Sequence, residues 1–153
     1  MIAMKKYFSM LLCFAFLASG KLSYAGNVTD VNEKVIKAFN QTFPFAQQVT
    51  WDEFSDRYIV HFQENEVRTV VDYDKDGNYL GSKRYYKEDN LPVSILYKIK
   101  KKYTDKKIFG VTEISAENSI DYYVKMEDSS NWVTVKCDAS GYMELVEKYK
   151  KTE

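Results

Sequence analysis

The chain has 153 residues, with 22 basic and 22 acidic side chains, so its formal net charge of zero gives no electrostatic reason to bind nucleic acid. One histidine and two cysteines exclude a Cys/His metal cluster and a disulfide framework. Aromatic residues make up 16% of the chain, which suits a core built on buried rings instead of covalent staples.

The N-terminus reads as a secretory signal. Lys5 and Lys6 form a basic start, and residues 7–18 are an apolar run too short to span a bilayer. Ser23, Tyr24 and Ala25 place small residues at the two positions a signal peptidase reads, so cleavage is expected after Ala25. An uncleaved anchor would need a longer apolar run. Cys13 follows bulky Leu12 inside that run, unlike a lipoprotein site. The expected destination is the periplasm, or beyond it the extracellular side. Removing 25 of 153 residues leaves 128, the size of one domain of roughly 100–150 residues. Lys5, Lys6 and Lys21 leave with the signal, so 19 basic residues face 22 acidic ones, a charge of −3. Only Cys137 then remains, and no internal disulfide can form. No other segment is apolar enough to cross a membrane.

Asp30 and Glu33 have capping-box spacing. A helix is expected next, with Val31, Val35, Ala38, Phe39, Thr42 and Phe43 on or near one stripe, and Pro44 stops it. Val49-Thr50-Trp51 begins a short strand. Tyr58, Val60 and Phe62 alternate with Ile59, His61 and Gln63, the period of a strand. A polar turn containing Asn65 leads to a strand over 67–73. Asp74-Lys75-Asp76-Gly77 is a turn in which Gly77 takes positive φ without steric cost. A strand over 78–86 follows. Asn90 is then expected to cap a second helix with Pro92 in its first turn. Leu96, Ile99 and Tyr103 recur at helical spacing, and the Lys-rich run 98–107 is expected on that helix's solvated face and exit. Strands are expected at about 120–127, 131–137 and 142–150.

The second series repeats the first. At a constant forward shift (122 − 58 = 64), Tyr58-Ile59-Val60 falls on Tyr122-Tyr123-Val124, Val71 on Val135, Asp74 on Asp138 and Gly77 on Gly141. Ile36, Phe39 and Phe43 match Leu96, Ile99 and Tyr103 at a shift of 60, and Val49-Thr50 matches Val111-Thr112 at 62. A nearly constant shift across several elements is the mark of an internal repeat. The expected fold is α+β: helix plus four antiparallel strands (α-β-β-β-β), twice, in repeats at about 30–86 and 89–151 of one domain spanning 26–153. Each helix must cover the apolar face of its sheet, and the two sheets can join into one. Val49, Trp51, Tyr58, Val60, Phe62, Thr69, Val71 and Tyr73 should face the first helix. Val111, Tyr122, Val124, Met126, Val133, Val135 and Cys137 should face the second.

These residues carry a family resemblance. Ala38-Phe39, Phe43-Pro44, Ala46 and Val49-x-Trp51 are followed by Tyr58-x-Val60-x-Phe62, then Val71-x-Tyr73-Asp74-x-x-Gly77, then Leu91-Pro92 opening the second helix. In order and spacing this resembles the PepSY-like, or β-lactamase-inhibitor-like (BLIP-like), proteins of Bacteroidetes, over nearly the whole mature chain. The resemblance implies a tandem helix-plus-four-strand fold, export to the periplasm and no known enzymatic activity. It carries over no functional residues.

Several candidate sites stand against simpler readings. Asp72, Asp74, Asp76 and Gly77 form the start of a calcium loop. Its twelfth position is Lys83 instead of Glu, so a plain hairpin turn is the simpler reading. His61 has no second ligand nearby in sequence and reads as a solvated strand residue. Cys137 reads as a buried, inert thiol. No Ser/His/Asp set or G-x-S-x-G stands out, and scattered carboxylates would make a hydrolase only if some lined a pocket with raised pKa values. No cofactor motif is present. The remaining set is the sheet face away from the helices: Ile59, His61, Arg68, Val70, Tyr123, Lys125, Trp132 and Thr134. Trp, Tyr and Arg dominate interface energetics, although cross-strand pairing alone can explain such residues. The expected function is therefore a non-enzymatic binding or inhibitory module whose partner is an envelope or secreted protein. The alternative is a calcium-binding envelope protein using the Asp72/Asp74/Asp76 turn.

Overall fold

The computed structural model describes residues 31–152; the expected signal segment and Asp30 lie outside them. Helix α1 (Glu33–Thr42) is followed by strands β1 (Gln47–Glu53), β2 (Arg57–Glu64), β3 (Val67–Asp74) and β4 (Tyr79–Tyr86). A 3₁₀ turn (Glu88–Asn90) leads to helix α2 (Val93–Lys102) and strands β5 (Lys107–Ala116), β6 (Ser119–Glu127), β7 (Asn131–Asp138) and β8 (Met143–Lys150). The eight strands form one antiparallel sheet in sequence order, joined at its centre by β4 and β5. This is an α+β fold.

Short turns set that order. Asn65 and Glu66 both take positive φ, at 48° and 65°, which closes a two-residue hairpin matching the right-handed strand twist. Gly77 and Gly141 sit at φ 87° and 86° in the turns after β3 and β7. In both turns the preceding aspartate, Asp74 or Asp138, accepts backbone N–H groups from within the turn.

Directly opposed residues of an antiparallel pair share a face. One such row crosses the sheet through Phe62, Thr69, Arg84, Glu113, Tyr122 and Cys137. Phe62 packs in the cluster under α1, and Tyr122 and Cys137 pack in the cluster under α2. Both helices therefore lie on the same side. The first cluster is aromatic: Phe39 meets Phe43, Trp51 and Phe62 with ring centroids 5.6, 5.3 and 5.2 Å away. The second is mainly aliphatic, with Ile95, Ile99, Val124, Met126 and Val135 fully buried. All seven residues expected to face the second helix are buried. Under the first helix, Val49 and Trp51 on the edge strand pack against the cluster but stay half-buried.

Between the clusters the helix side of the sheet is polar. Ser82 opposes Ser115, and Arg84 opposes Glu113. Arg84 donates to Glu113 Oε1 at 3.1 Å, and the Tyr86 hydroxyl donates to Glu113 Oε2 at 2.5 Å. Burial, reinforced by that hydrogen bond, pushes the Tyr86 phenol well above its ordinary range.

Four expectations are corrected. The cap of α1 is Asn32, whose side chain accepts from the Lys34 amide at 2.9 Å, instead of an Asp30–Glu33 box. Asn90 ends the 3₁₀ turn, and Pro92 holds the cap position of α2 without a side-chain bond. Starting at Val93, that helix turns Ile95 and Ile99 fully inward and leaves Leu96 at the flank. Residues 98–107 are not uniformly solvated: Lys106 bridges Asp105 and Asp128 at 2.9 and 2.7 Å with only 13% of its side chain exposed. Lastly, Val111 opposes Val124, whereas the residue opposite Val60 is Trp51. Trp51, not Val49, stands opposite Val60 as Val111 stands opposite Val124, and Glu53 stands opposite Tyr58 as Glu113 stands opposite Tyr122. These pairing positions differ in number by 60 (111 − 51, 113 − 53), whereas Tyr58 and Tyr122 differ by 64, because the chain from Glu113 to Tyr122 is longer than that from Glu53 to Tyr58.

Candidate functional site

The side of the sheet without helices carries all eight residues expected there. Ile59, His61, Arg68 and Val70 alternate with the buried Val60, Phe62, Thr69 and Val71. Tyr123, Lys125, Trp132 and Thr134 alternate with the buried Val124, Met126, Val133 and Val135. Seven of the eight are half-buried and Arg68 is exposed, so neighbours support their side chains while one surface stays open.

The eight do not form one constellation. In the first half, His61, Arg68 and Val70 line a shallow depression of about 410 Å³ with Gln48, Gln63 and Tyr85. The Arg68 guanidinium lies 5.6 Å from the Tyr85 ring centroid. His61 is not merely solvated: its Nε2 is 3.0 Å from Asp52 Oδ2. Ile59 lies one row away, opposite Asp52 and Asp72. A row through Arg68, Tyr85, Thr112 and Tyr123 links this depression to the second half.

The second half holds an aromatic patch. Trp132 opposes Glu127 and Tyr149. Phe109 meets Trp132 edge-on, with centroids 5.0 Å apart. Lys125 Nζ lies 4.9 Å from the Trp132 ring and 5.6 Å from Tyr149, while Lys151 Nζ lies 4.8 Å from Trp132. Sequence alternation misses Phe109 and Tyr149 for one reason. Each lies in a strand with a register break, at Phe109 in β5 and at Val146 in β8, where alternation stops reporting which side a residue faces.

A second depression, of about 340 Å³, lies on the opposite side and is lined by Phe43, Phe62, Tyr79, Ser82, Arg84 and Asn90 among others. Arg84 at its wall bonds Glu113, and that buried polar pair was legible in principle. Glu113 sits at an inward-facing position two places from Val111, and an inward acid implies a buried partner.

The acidic turn does not gather as a calcium loop would. Asp74 uses its oxygens on the Asp76 and Asn78 amides and the Asn78 side chain, which hold its carboxyl below the usual range. Asp76 pairs with Lys34 at 3.0 Å, and Asp72 lies on the strand opposite Gly81. Among the described residues no group of three or more His, Cys, Asp or Glu side chains is placed to hold a metal ion. Cys137 is fully buried, and burial pushes its thiol up, away from the reactive thiolate. Every carboxylate whose pKa moves clearly does so downward: Glu53, Asp74, Asp105, Asp128 and Asp138. Each is hydrogen-bonded to a donor, unlike a general acid held neutral by burial. Among the described residues no helix is long and apolar enough to cross a membrane.

No family model matches the chain, and no curated protein matches it. Solved structures do. A BLIP-like protein from Bacteroides fragilis superposes with a TM-score of 0.57 at 19% identity, covering 80% of this chain and 87% of that one. A DUF2874 family protein from Bacteroides uniformis gives 0.56 at 16%, covering 78% and 88%. A candidate periplasmic protein from Bacteroides eggerthii gives 0.56 at 14%, also covering 78% and 88%. The sequence resemblance to BLIP-like proteins thus has a counterpart in three dimensions: this chain has the fold of the BLIP-like and DUF2874 proteins of Bacteroides.

Proposed function

We propose that this chain is an exported, non-enzymatic binding module that grips a partner protein of the envelope through the helix-free side of its sheet. The observation that carries this reading is the placement of half-buried Trp132 and Tyr123 and exposed Arg68 on that surface, the residue types that anchor protein interfaces. Trp132 and Tyr123 serve as anchors, and Arg68 with His61 supplies polar specificity. Ile59, Val70, Lys125 and Thr134 complete the contact surface. Export follows from the signal-like residues 1–25, and a similar structure described as a candidate periplasmic protein supports the same compartment. The two halves, about 30–86 and 89–151, are copies of one unit. In support, α1 at 33–42 and α2 at 93–102 keep one constant offset, and β3 and β4 (67–74, 79–86) keep another from β7 and β8 (131–138, 143–150). The calcium-binding alternative at Asp72, Asp74 and Asp76 has no comparable support, because Asp74 already serves its own turn.

The test is capture from envelope extract with Trp132→Ala and Tyr123→Ala. Both side chains are half-buried on strands, so the variants should fold. Loss of the wild-type partner in both is expected. Capture as good as wild type by both variants overturns the reading.

A further inference from the structure

We infer that the partner presents an acidic polypeptide segment to the patch around Trp132; this rests on the reading of the helix-free side as the binding surface. Regular pairing matches Ile108 to Met126 and Gly110 to Lys125, which leaves Phe109 between them as an unpaired bulge residue. A bulge re-aims its side chain, and here the Phe109 ring stands at 85° to Trp132 with 49% of the residue exposed. Gly110 adds no side chain opposite Lys125, so the ammonium group can reach Trp132 and Tyr149.

Charge decides the partner's chemistry. Lys87 and Lys151 join Lys125 at the rings, the first 4.9 Å from Phe109. Lys107 opposes Glu127 in the same row as Trp132. Against these four lysines stand Glu127, already bonded to Lys151 at 2.6 Å, and Glu147, across Thr134 from Lys125. Among the described residues Lys87 bonds only the Phe109 carbonyl oxygen, which does not neutralise it. Among the described residues Lys125 has no ion pair at all. A ring face holds an ammonium group weakly and leaves its charge uncompensated. A carboxylate brought by a partner would meet it where the rings have already displaced part of the water. A basic partner would be repelled. Lys125 and Lys151 already lie 4.9 and 4.8 Å from the Trp132 ring centroid and compete with a sugar ring for stacking there, which favours a polypeptide over an anionic glycan.

The experiment titrates the chain, without its predicted leader, with a random Glu–Tyr copolymer at low and at moderate salt, with dextran sulfate and polylysine as comparison probes. The copolymer should bind, weaken with salt, and weaken by about tenfold or more in Lys125→Glu and in Trp132→Ala. Lys125→Ala, a milder change, should lose part of that affinity with the fold intact. Unchanged copolymer affinity in Lys125→Glu, no copolymer binding at low salt, or tighter binding of dextran sulfate each overturns the inference. Capture from envelope extract separates the two levels. A partner lost in Trp132→Ala but kept in Lys125→Glu overturns the acidic chemistry and leaves the surface standing. A partner kept in both variants overturns the surface as well.

Discussion

Glu53 and Glu113 make the same cross-strand pair, each opposite a tyrosine, yet in different surroundings. Glu53 lies on the edge strand β1, exposed, and bonds Lys75 Nζ at 2.8 Å. Glu113 lies on β5, whose second neighbour β4 brings Arg84 and Tyr86 against it, and it is only 9% exposed. A carboxylate at an edge is held mostly by water. The same carboxylate at the centre loses that water and must find donors within the protein. The halves also differ in their cores: interlocked rings beneath α1, branched aliphatic chains beneath α2. The two cores are thus filled differently, and the strip of sheet between them carries the polar pair Arg84 and Glu113.

The largest test of this contrast is in the cores. Phe39→Ala should cost about 3–5 kcal/mol, since it removes the ring that Phe43, Trp51 and Phe62 share, and Ile99→Ala about 2–5 kcal/mol. Urea unfolding of both variants measures the difference. If Ile99→Ala proves the costlier of the two, the aromatic cluster is not the stronger anchor. At the seam, Tyr86→Phe removes a donor from a buried carboxylate and should cost about 1–3 kcal/mol. Glu53→Ala, changing an exposed pair, should leave the midpoint where it was. Equal midpoints for the two variants would mean that the central position confers no special burden.

A further test is a response to acid. Asp128 accepts from Lys106 and from the Ser130 and Asn131 amides, and these donors hold its carboxyl below the ordinary 3.8. Its contribution to stability is therefore present above pH 3.8 and is lost as pH falls toward the lower folded value. The β2–β3 turn has no such acceptor to lose, since Asn65 and Glu66 close it as a two-residue hairpin through their positive φ. Asp128→Asn should lower the melting temperature at pH 7, and its gap from wild type should narrow below pH 3.8. A gap that stays constant into acid would remove Asp128 as the source.

Much of this architecture was legible in the chain because it follows from local chemistry. Alternation at Tyr58–Val60–Phe62 and Tyr122–Val124–Met126 reports burial, since successive strand residues face opposite ways. Gly77 and Gly141 mark the turns, and Pro44 lies just beyond the end of α1. The caps are less legible, because several polar residues near a helix start can each serve: Asn32 caps α1, and Asn90 is taken up by a 3₁₀ turn. The candidate surface was half legible. Its regular members followed from period, but Phe109 and Tyr149 did not, because one extra residue in a strand inverts every inference downstream of it.

Residue order alone thus specified the helices, most strand faces and the turns, all matters of neighbours a few positions apart. The pairing of β4 with β5, the burial of Glu113 between Arg84 and Tyr86, and the gathering of Phe109, Lys125, Trp132 and Tyr149 were settled only in the folded sheet. Those contacts join distant parts of the chain or cross a bulge, and no local period records which strands will lie side by side.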